Sequence, residues 1–176
     1  AYGSYPFFGG FILTPYDILS IILRDLKDIS KDLMKKKFRE QIVEVLDLLA
    51  PLMINLTLLQ NNLSGLPGVW FPSERAFTLS PRQFGKYYWP TLKKMIIAFV
   101  KNGLIPFITL EGDVTHLLEY LLDLPKSIAR KCVFNCDTTD IFKANKILDG
   151  HMAIAGNIPL STMVVGTPCL LYTSDA

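Results

Sequence analysis

The chain has 176 residues, of which 50% are hydrophobic and 19% are charged, so it contains enough apolar material for one globular core. Its net charge of +2 gives no basis for nucleic-acid binding, and its three cysteines are too few for a disulfide-stabilised scaffold. The longest apolar run, residues 42–59, contains Glu44, Asp47, Pro51 and Asn55. This composition predicts a pair of core helices and no membrane span. Because no leader with a cleavage site is recognisable, we expect a cytoplasmic protein.

The N-terminal part of the chain predicts a strand followed by helices. Residues 5–13 form an apolar run with Gly9-Gly10 in its middle, which is typical of a buried strand that a second backbone approaches closely. Thr14-Pro15-Tyr16-Asp17 predicts a helix start. The threonine can cap the helix, the proline fits its first position, and the aspartate can reach back to the amide of the cap.

The middle of the chain predicts a short strand and a long amphipathic helix. The strand, Val69–Phe71, ends at Pro72-Ser73-Glu74-Arg75. Ser80-Pro81-Arg82-Gln83 is a capping box that begins the helix, Pro90 should kink it, and Gly103 should end it. The expected buried stripe consists of apolar side chains at helical spacing: Phe84, Tyr87, Tyr88, Leu92, Met95, Ile96 and Phe99.

From residue 105 onward, strands and helices alternate regularly. The predicted strands are 105–110, 131–135 and 152–155, the helices are 114–122 and 139–148, and Ser161 lies in a final short helix. Each strand ends in polar or glycine-rich residues, as in parallel barrels, where the loops at the carboxyl ends of the strands carry the chemistry. Five strands in total predict one α/β domain over residues 1–168, an incomplete (β/α)8 TIM barrel with about five of its eight strands.

A series of segments occurs in the order found in one enzyme superfamily. The segments are SPRQFGKYYWPTLKKMI, LEGD, DLPK, TDIFKA, and GNIP followed by GTP. Together they resemble the uroporphyrinogen decarboxylase superfamily, which includes the corrinoid-dependent methyltransferases. The resemblance implies that two further strands precede Ala1, that the eighth strand follows the chain, and that the complete protein forms a homodimer. Residues 169–176, CLLYTSDA, instead resemble a translated sequencing adaptor, and we expect them to lie outside the native protein.

Two carboxylates are the candidate catalytic residues. Glu111 and Asp113 follow the predicted strand 105–110. If that strand continues, alternation places both side chains on one side, where each carboxylate raises the pKa of the other and can do acid–base work. The alternative is that Asp113 only caps the next helix, with help from Thr115.

Five residues are candidates for substrate binding. By the resemblance, Tyr16 and Ser73 lie near the tyrosine and serine that contact propionate or acetate arms of the substrate in the decarboxylase branch. Arg75 is a candidate clamp for a carboxylate because a guanidinium matches it with two parallel hydrogen bonds, and a salt bridge with the neighbouring glutamate is the alternative. Asn135 and Asn157 stand at strand ends and complete the set, although Asn157 also suits a turn.

Cys136 is the one candidate metal ligand. In the zinc-dependent methyltransferases of the superfamily, a His-x-Cys pair stands at this strand end, and a later cysteine completes the site. Here Phe134 replaces the histidine, so we expect no zinc site through Cys136. The resemblance implies no metal or organic cofactor for the decarboxylase, and a corrinoid or zinc for the methyltransferase.

The resemblance implies an enzyme of the uroporphyrinogen decarboxylase type, a carboxy-lyase that acts on a tetrapyrrole or related substrate at the mouth of the barrel. One alternative is a corrinoid-dependent methyltransferase, whose partners are a methyl donor and a corrinoid protein. Another is a barrel that binds a tetrapyrrole or a protein without turnover. The segments that distinguish these functions lie outside the sequence, and we expect the fragment alone to be inactive.

Overall fold

Five parallel strands form one sheet, in the order in which they occur along the chain. A computed structural model describes residues 6–157 and 164–167. The five predicted strands are confirmed, with bounds that differ by a few residues. They are β1 (Phe8–Phe11), β2 (Gly68–Ser73), β3 (Ile105–Leu110), β4 (Val133–Cys136) and β5 (Ala153–Ala155). The helix predicted at Ser161 and the tail 169–176 lie outside the described residues.

The connections between the strands are mainly helical. The α-helices are α1 (Pro15–Asp17), α2 (Leu26–Met34), α3 (Lys36–Ser64), α4 (Pro81–Gln83), α5 (Trp89–Lys101), α6 (Lys126–Ala129) and α7 (Ile141–Leu148). A π-helix, Ile18–Leu23, follows α1, and another, Phe84–Tyr88, lies between α4 and α5. A 3-10 helix, Thr115–Asp123, connects β3 with α6.

The sequential strand order determines where the helices lie. Crossovers between parallel strands are right-handed, so a sheet that always adds its next strand on the same side keeps its helices on one face. Burial along β2 agrees with this arrangement. Val69 and Phe71 are fully buried, and Phe71 packs against Phe99 of α5 with ring centroids 5.4 Å apart, whereas Trp70 between them is 39% exposed. The sheet therefore has one face covered by helices and one open face among the described residues.

Aromatic side chains line the open face at its β1 end. Phe8 lies 5.4 Å from Phe107 and 6.2 Å from Trp70, and Phe11 lies 5.7 Å from Trp70, between ring centroids. Residues three apart in a regular strand point to opposite faces. A register shift between Phe8 and Gly10 brings both phenylalanines to the same face. The open face of the sheet therefore carries an uncovered apolar surface at its β1 end.

The two glycines of β1 allow α3 to approach the strand, as predicted. A Cβ at Gly10 would collide with Asn61 Oδ1, and one at Gly9 would collide with the hydroxyl of Ser64 and come within 2.9 Å of the Leu66 carbonyl oxygen. Asn61 is 4% exposed, and its Nδ2 donates hydrogen bonds to the carbonyl oxygens of Leu66 (2.8 Å) and Gly68 (2.9 Å). The asparagine thus ties the end of α3 to the start of β2.

The predicted pair of helices around Pro51 is wrong, because α3 continues through the proline. A proline inside a helix costs about 3 kcal/mol. Packing on both sides of Pro51 offsets this cost. Three buried residues precede the proline, namely Ile42, Leu46 and Ala50, and the buried Thr57 follows it. Judged by length and composition alone, α3 could also cross a membrane. In the structure, 22% of its most apolar stretch is buried.

One side of α3 carries exposed leucines that turn away from the core. Their spacing of four, four, three and four residues places them on one strip of the helix surface. They are between 46% and 78% exposed. We call this surface the leucine stripe; it consists of Leu48, Leu52, Leu56, Leu59 and Leu63.

The predicted helix start at Ser80 is confirmed, and the helix changes type just before Pro90, where the kink was expected. The Ser80 hydroxyl accepts from the Gln83 amide (3.3 Å), and Gln83 Oε1 accepts from the Ser80 amide (3.2 Å). The π-helix then ends at Tyr88, and Pro90 lies in the first turn of α5, where a missing amide hydrogen breaks no helical hydrogen bond. The predicted buried stripe of this helix is confirmed throughout.

We expect Gly10→Ala and Asn61→Ala each to lower the free energy of unfolding of the purified protein by about 1–3 kcal/mol. The first introduces an overlap, and the second removes hydrogen bonds to two carbonyl oxygens. Because Asn61→Ala also removes the atom that overlaps the new methyl group, the double variant should lose less than the sum of the two. Urea denaturation followed by circular dichroism measures the coupling. Asn62→Ala, an exposed neighbour, is the control, and simple additivity would contradict the interpretation.

Candidate functional site

The carboxyl ends of the strands bring four chain segments to one edge of the sheet. Pro72, Thr109, Asn135 and Ala155 are successive neighbours across β2 to β5. Each of these four residues is followed, two positions later, by a residue with a charged or amide side chain. Arg75 directly follows the first of these, Glu74. We call this set the mouth residues; they are Glu74, Arg75, Glu111, Asp137 and Asn157.

Glu111 lies at the centre of the acidic mouth residues. Its amide donates to the Ser73 carbonyl oxygen (3.0 Å), which extends the pairing of β2 and β3 by one residue. Burial raises the pKa of Glu111, and the negative charges of Glu74 and Asp137 raise it further, while Arg75 lowers it. A carboxyl group in this environment keeps its proton to a higher pH than an ordinary glutamate, as a general acid requires.

The expected pairing of Glu111 with Asp113 is wrong. The strand ends at Leu110, and Gly112 turns the chain with φ +77°, so the alternation that would align the two carboxylates does not continue. Asp113 is exposed and accepts hydrogen bonds from the amide (3.0 Å) and hydroxyl (2.6 Å) of Thr115, which hold its pKa below the usual range. Asp113 thus forms a local turn with Thr115 just before the 3-10 helix, whose cap residue is Val114, and a catalytic role for Asp113 stays a prediction.

Two carboxylates of the mouth were missed by the sequence interpretation. Glu74 and Asp137 are the groups whose charges act on Glu111. Asp137 also accepts a hydrogen bond from the Gly112 amide (2.9 Å), which ties the ends of β3 and β4 together. Both follow predicted strands, and polar residues at the carboxyl ends of parallel strands meet at one edge of the sheet. The sequence therefore already indicated that these carboxylates lie beside Glu111.

Arg75 is the single cation among the mouth residues. Within residues 6–157 and 164–167 it forms no salt bridge with Glu74, and its buried Nε has no hydrogen-bond partner. Its backbone amide donates to Asp17 Oδ1 (3.0 Å). The guanidinium is thus not committed to the neighbouring glutamate, and its geometry suits a carboxylate on a ligand.

Asp17 is fully buried behind the mouth and was expected to accept from the amide of its own helix cap. The structure differs. Thr14 does cap the helix, with its hydroxyl oxygen accepting from the Asp17 amide (3.3 Å), but the Asp17 carboxylate accepts from the hydroxyls of Tyr88 (2.6 Å) and Thr14 (2.7 Å). Burial raises the pKa of Asp17 to about 6, and these hydrogen bonds limit the shift.

Tyr16 and Ser73 lie on the helix-covered side of the sheet. Tyr16 is 1% exposed, its ring lies 5.6 Å from that of Tyr88, and burial raises its pKa to about 12. Ser73 is fully buried and shares a hydrogen bond with the Tyr88 hydroxyl. The two side chains support the mouth from behind, and direct substrate contact through them stays a prediction.

The two candidate asparagines occupy different environments. Asn135 lies half-buried in β4, and its Nδ2 donates to Thr109 Oγ1 (3.3 Å), which also accepts from Trp70 Nε1 (2.9 Å). Asn157 donates to the Thr139 carbonyl oxygen (2.7 Å) and so connects the end of β5 with the start of α7. Asn135 therefore belongs to the open face. The turn alternative for Asn157 involves residues 158–163, which lie outside the described residues, and substrate binding through either asparagine stays a prediction.

Cys136 does not present its thiol to the mouth. It is 2% exposed, and burial raises its pKa to about 11, with Asp140 adding to the shift. Phe134, two residues before it, is fully buried. Among the described residues, no group of three histidine, cysteine, aspartate or glutamate side chains is arranged to hold a metal ion.

Comparison of the sequence with protein-family models finds no match, and comparison with curated proteins finds none either. Inferences about function therefore rest on the sequence segments quoted above and on the geometry of the strand ends.

We expect the protein to bind no stoichiometric zinc through Cys136, because the thiol is buried with a raised pKa and the described residues place no group of three ligands around it. Metal analysis of the purified protein beside a Cys136→Ser variant tests this expectation. One zinc per chain that is lost in the variant would show that Cys136 is a ligand after all.

Proposed function

We propose that the chain is part of a (β/α)8 barrel that works as an enzyme of the uroporphyrinogen decarboxylase type, acting on a tetrapyrrole or related substrate at the mouth. The sequential parallel order supports the barrel. A doubly wound sheet reverses its strand order at a switch point and carries helices on both faces, whereas a barrel continues in one direction and carries helices only outside. The order β1 to β5 contains no reversal.

The two uncovered apolar surfaces also support a closed barrel. Strands that complete the cylinder would cover the aromatic side chains of the open face, which becomes the interior. In the same way, an outer helix beside α3 would cover the leucine stripe. Contiguous apolar surfaces of this kind are uncommon on a protein surface that remains in water.

If the stripe is covered in the complete protein, Leu52→Lys there should lower the free energy of unfolding by about 2–4 kcal/mol, because it places an ammonium group in an apolar contact. Met34→Lys, on the exposed face of α2, is the matched control and should change stability little. Thermal unfolding of both variants measures the difference. Equal stability of the two would contradict a covered stripe.

The observation that carries the function is the position of Glu111 between two carboxylates and Arg75 at the mouth. Tetrapyrroles present pyrrole N–H donors in the middle and carboxylate arms around them. Carboxylates at the mouth can accept from the N–H groups, and the Arg75 guanidinium can hold a carboxylate arm. Such a site recognises both features of the substrate with the chain's own side chains.

The chemistry required is also within reach of these groups. In the decarboxylation, a pyrrole ring carbon first takes up a proton and the ring becomes positively charged. The bond between the methylene carbon and its carboxylate then breaks, carbon dioxide leaves, and the electron pair neutralises the ring; the methylene carbon is then protonated and the ring carbon releases its proton. Carboxylates close to the pyrrole N–H groups stabilise the positive charge of the protonated ring. Glu111, which holds its proton to a higher pH than usual, is the candidate proton donor.

The methyltransferase alternative has weaker support from these residues. Activation of a thiol by zinc needs three or four ligands, of which this segment retains only a cysteine. That cysteine and Phe134 are both buried. The arrangement at the mouth therefore favours the decarboxylase type.

In the complete enzyme, Glu111→Gln should lower turnover at least about tenfold, equivalent to roughly 1.4 kcal/mol of transition-state stabilisation. The amide keeps the size of the side chain but can neither carry the charge nor donate the acid proton. If Glu111 is the donor, wild-type activity also falls as the pH rises through its raised pKa. The measurement is the initial rate of porphyrinogen decarboxylation across pH, with exposed Glu119→Gln as control. Near-normal activity of Glu111→Gln would make the glutamate a structural residue.

A further inference from the structure

Asp17 connects three segments of the chain that are distant in sequence. Its Oδ2 accepts from the hydroxyls of Thr14 (2.7 Å), in the loop after β1, and Tyr88 (2.6 Å), at the end of the second π-helix. Its Oδ1 accepts from the backbone amide of Arg75 (3.0 Å), in the loop after β2. The side chain is fully buried, so these hydrogen bonds replace all of its contact with water.

The hydrogen bonds around Asp17 restrain both sides of the β2 loop. Tyr88, which donates to Asp17, also shares a hydrogen bond with Ser73, the last residue of β2. The segment from Ser73 to Arg75 is thus held at both ends: Ser73 is bound by Tyr88, and the backbone amide of Arg75 is bound by Asp17. A buried carboxylate without such a function would be costly to retain, because a packed apolar residue would avoid its desolvation.

We propose that Asp17 is a positioning residue that fixes Arg75 at the mouth of the sheet. It acts through the backbone of Arg75 and touches no substrate itself. The guanidinium is then presented from a fixed loop, and a carboxylate ligand meets a preorganised partner. The inference rests on the proposed function only in giving Arg75 a ligand, since the restraint itself can be tested without one.

The titration of Asp17 supplies a signature that general destabilisation would not produce. The ionisable groups around it are Tyr16 on α1, Glu74 and Arg75 after β2, and Tyr88; Glu74 raises its pKa, and the Tyr88 hydrogen bond lowers it. Burial raises the pKa of Asp17 to about 6, while the hydrogen bond from the Arg75 amide lowers it and so favours the ionised carboxylate. Opening the loop breaks that hydrogen bond, so the pKa of the still buried Asp17 rises and opening takes up a proton. Opening therefore becomes easier as the pH falls through about 6.

Hydrogen exchange of the Arg75 amide, followed by NMR and corrected for the intrinsic rate at each pH, tests the proposal in the complete protein. In the wild type, we expect this corrected exchange through loop opening to become faster from pH 8 to pH 5, as Asp17 takes up its proton. Asp17→Ala removes the acceptor and should speed exchange of this amide at least about tenfold, while amides of β3 and β4 change much less. Asp17→Asn keeps an acceptor for the amide, so it should retain protection but lose the pH dependence.

Tyr88→Phe and a surface control complete the test. Removing the Tyr88 hydroxyl takes away a hydrogen bond that lowers the pKa of Asp17, so the pH at which exchange changes should move upward. Asp123→Asn removes an exposed carboxylate that pairs with Lys93 and should behave as wild type. Wild-type exchange at Arg75 that is independent of pH, or an unshifted midpoint in Tyr88→Phe, would overturn the proposal even if Asp17→Ala fails to fold.

The outcome is separate from that of the proposed function. Arg75→Lys keeps the backbone amide and therefore the restraint, but it loses the two-pronged contact with a carboxylate. If exchange behaves as expected and Arg75→Lys has unchanged KM for the porphyrinogen, Asp17 positions the loop and the proposed ligand of Arg75 is wrong. The other outcome is that exchange of the Arg75 amide departs from the expected behaviour while Arg75→Lys raises KM at least about tenfold. In that case Arg75 contacts a carboxylate of the porphyrinogen, and Asp17 does not position it.

Discussion

The structure depends on one constraint, the sequential order of parallel strands joined by right-handed crossovers. This order places every carboxyl end at the same edge, which is why Glu74, Glu111 and Asp137 meet although 63 residues separate the first from the last. The same order leaves one face of the sheet without helices. The concentration of charge at one edge and the uncovered aromatic face are therefore two consequences of a single topology.

Alternation along each strand then divides the polar residues between two functions. Ser73 follows the parity of Val69 and Phe71, points to the helices, and becomes part of the hydrogen-bonded group around Tyr88 and Asp17. Glu74 and Arg75, one and two positions later, lie beyond the strand end at the mouth. A change of one residue in register would bring Glu74 to the place of Ser73, so the hydrogen bonds that hold Ser73 through Tyr88 and the Arg75 amide through Asp17 also fix which side chains face the helices.

Much of the fold could be predicted from the sequence because its signals are local. The apolar strands, the capping box at Ser80 and the helix end at Gly103 each depend on a few neighbouring residues. The continuous α3 could not be predicted, because tertiary packing outweighs the local effect of Pro51. The partners of Asp17 lie 58 and 71 residues away in sequence, and no local pattern identifies them. Pairing Glu111 with Asp113 failed for the opposite reason, since it assumed that a local alternation would continue past Gly112.

The balance of charge at the mouth constrains what can bind there. With Glu74, Glu111 and Asp137 ionised, three negative charges face the single positive charge of Arg75. Water can screen this excess while the mouth is open, but a ligand that covers the mouth removes the water and strengthens the repulsion. The excess must then be compensated by N–H donors or positive charge on the ligand, or by a proton on one carboxyl group. Glu111, which has the raised pKa, takes that proton most readily, so covering the mouth and protonation of Glu111 favour each other.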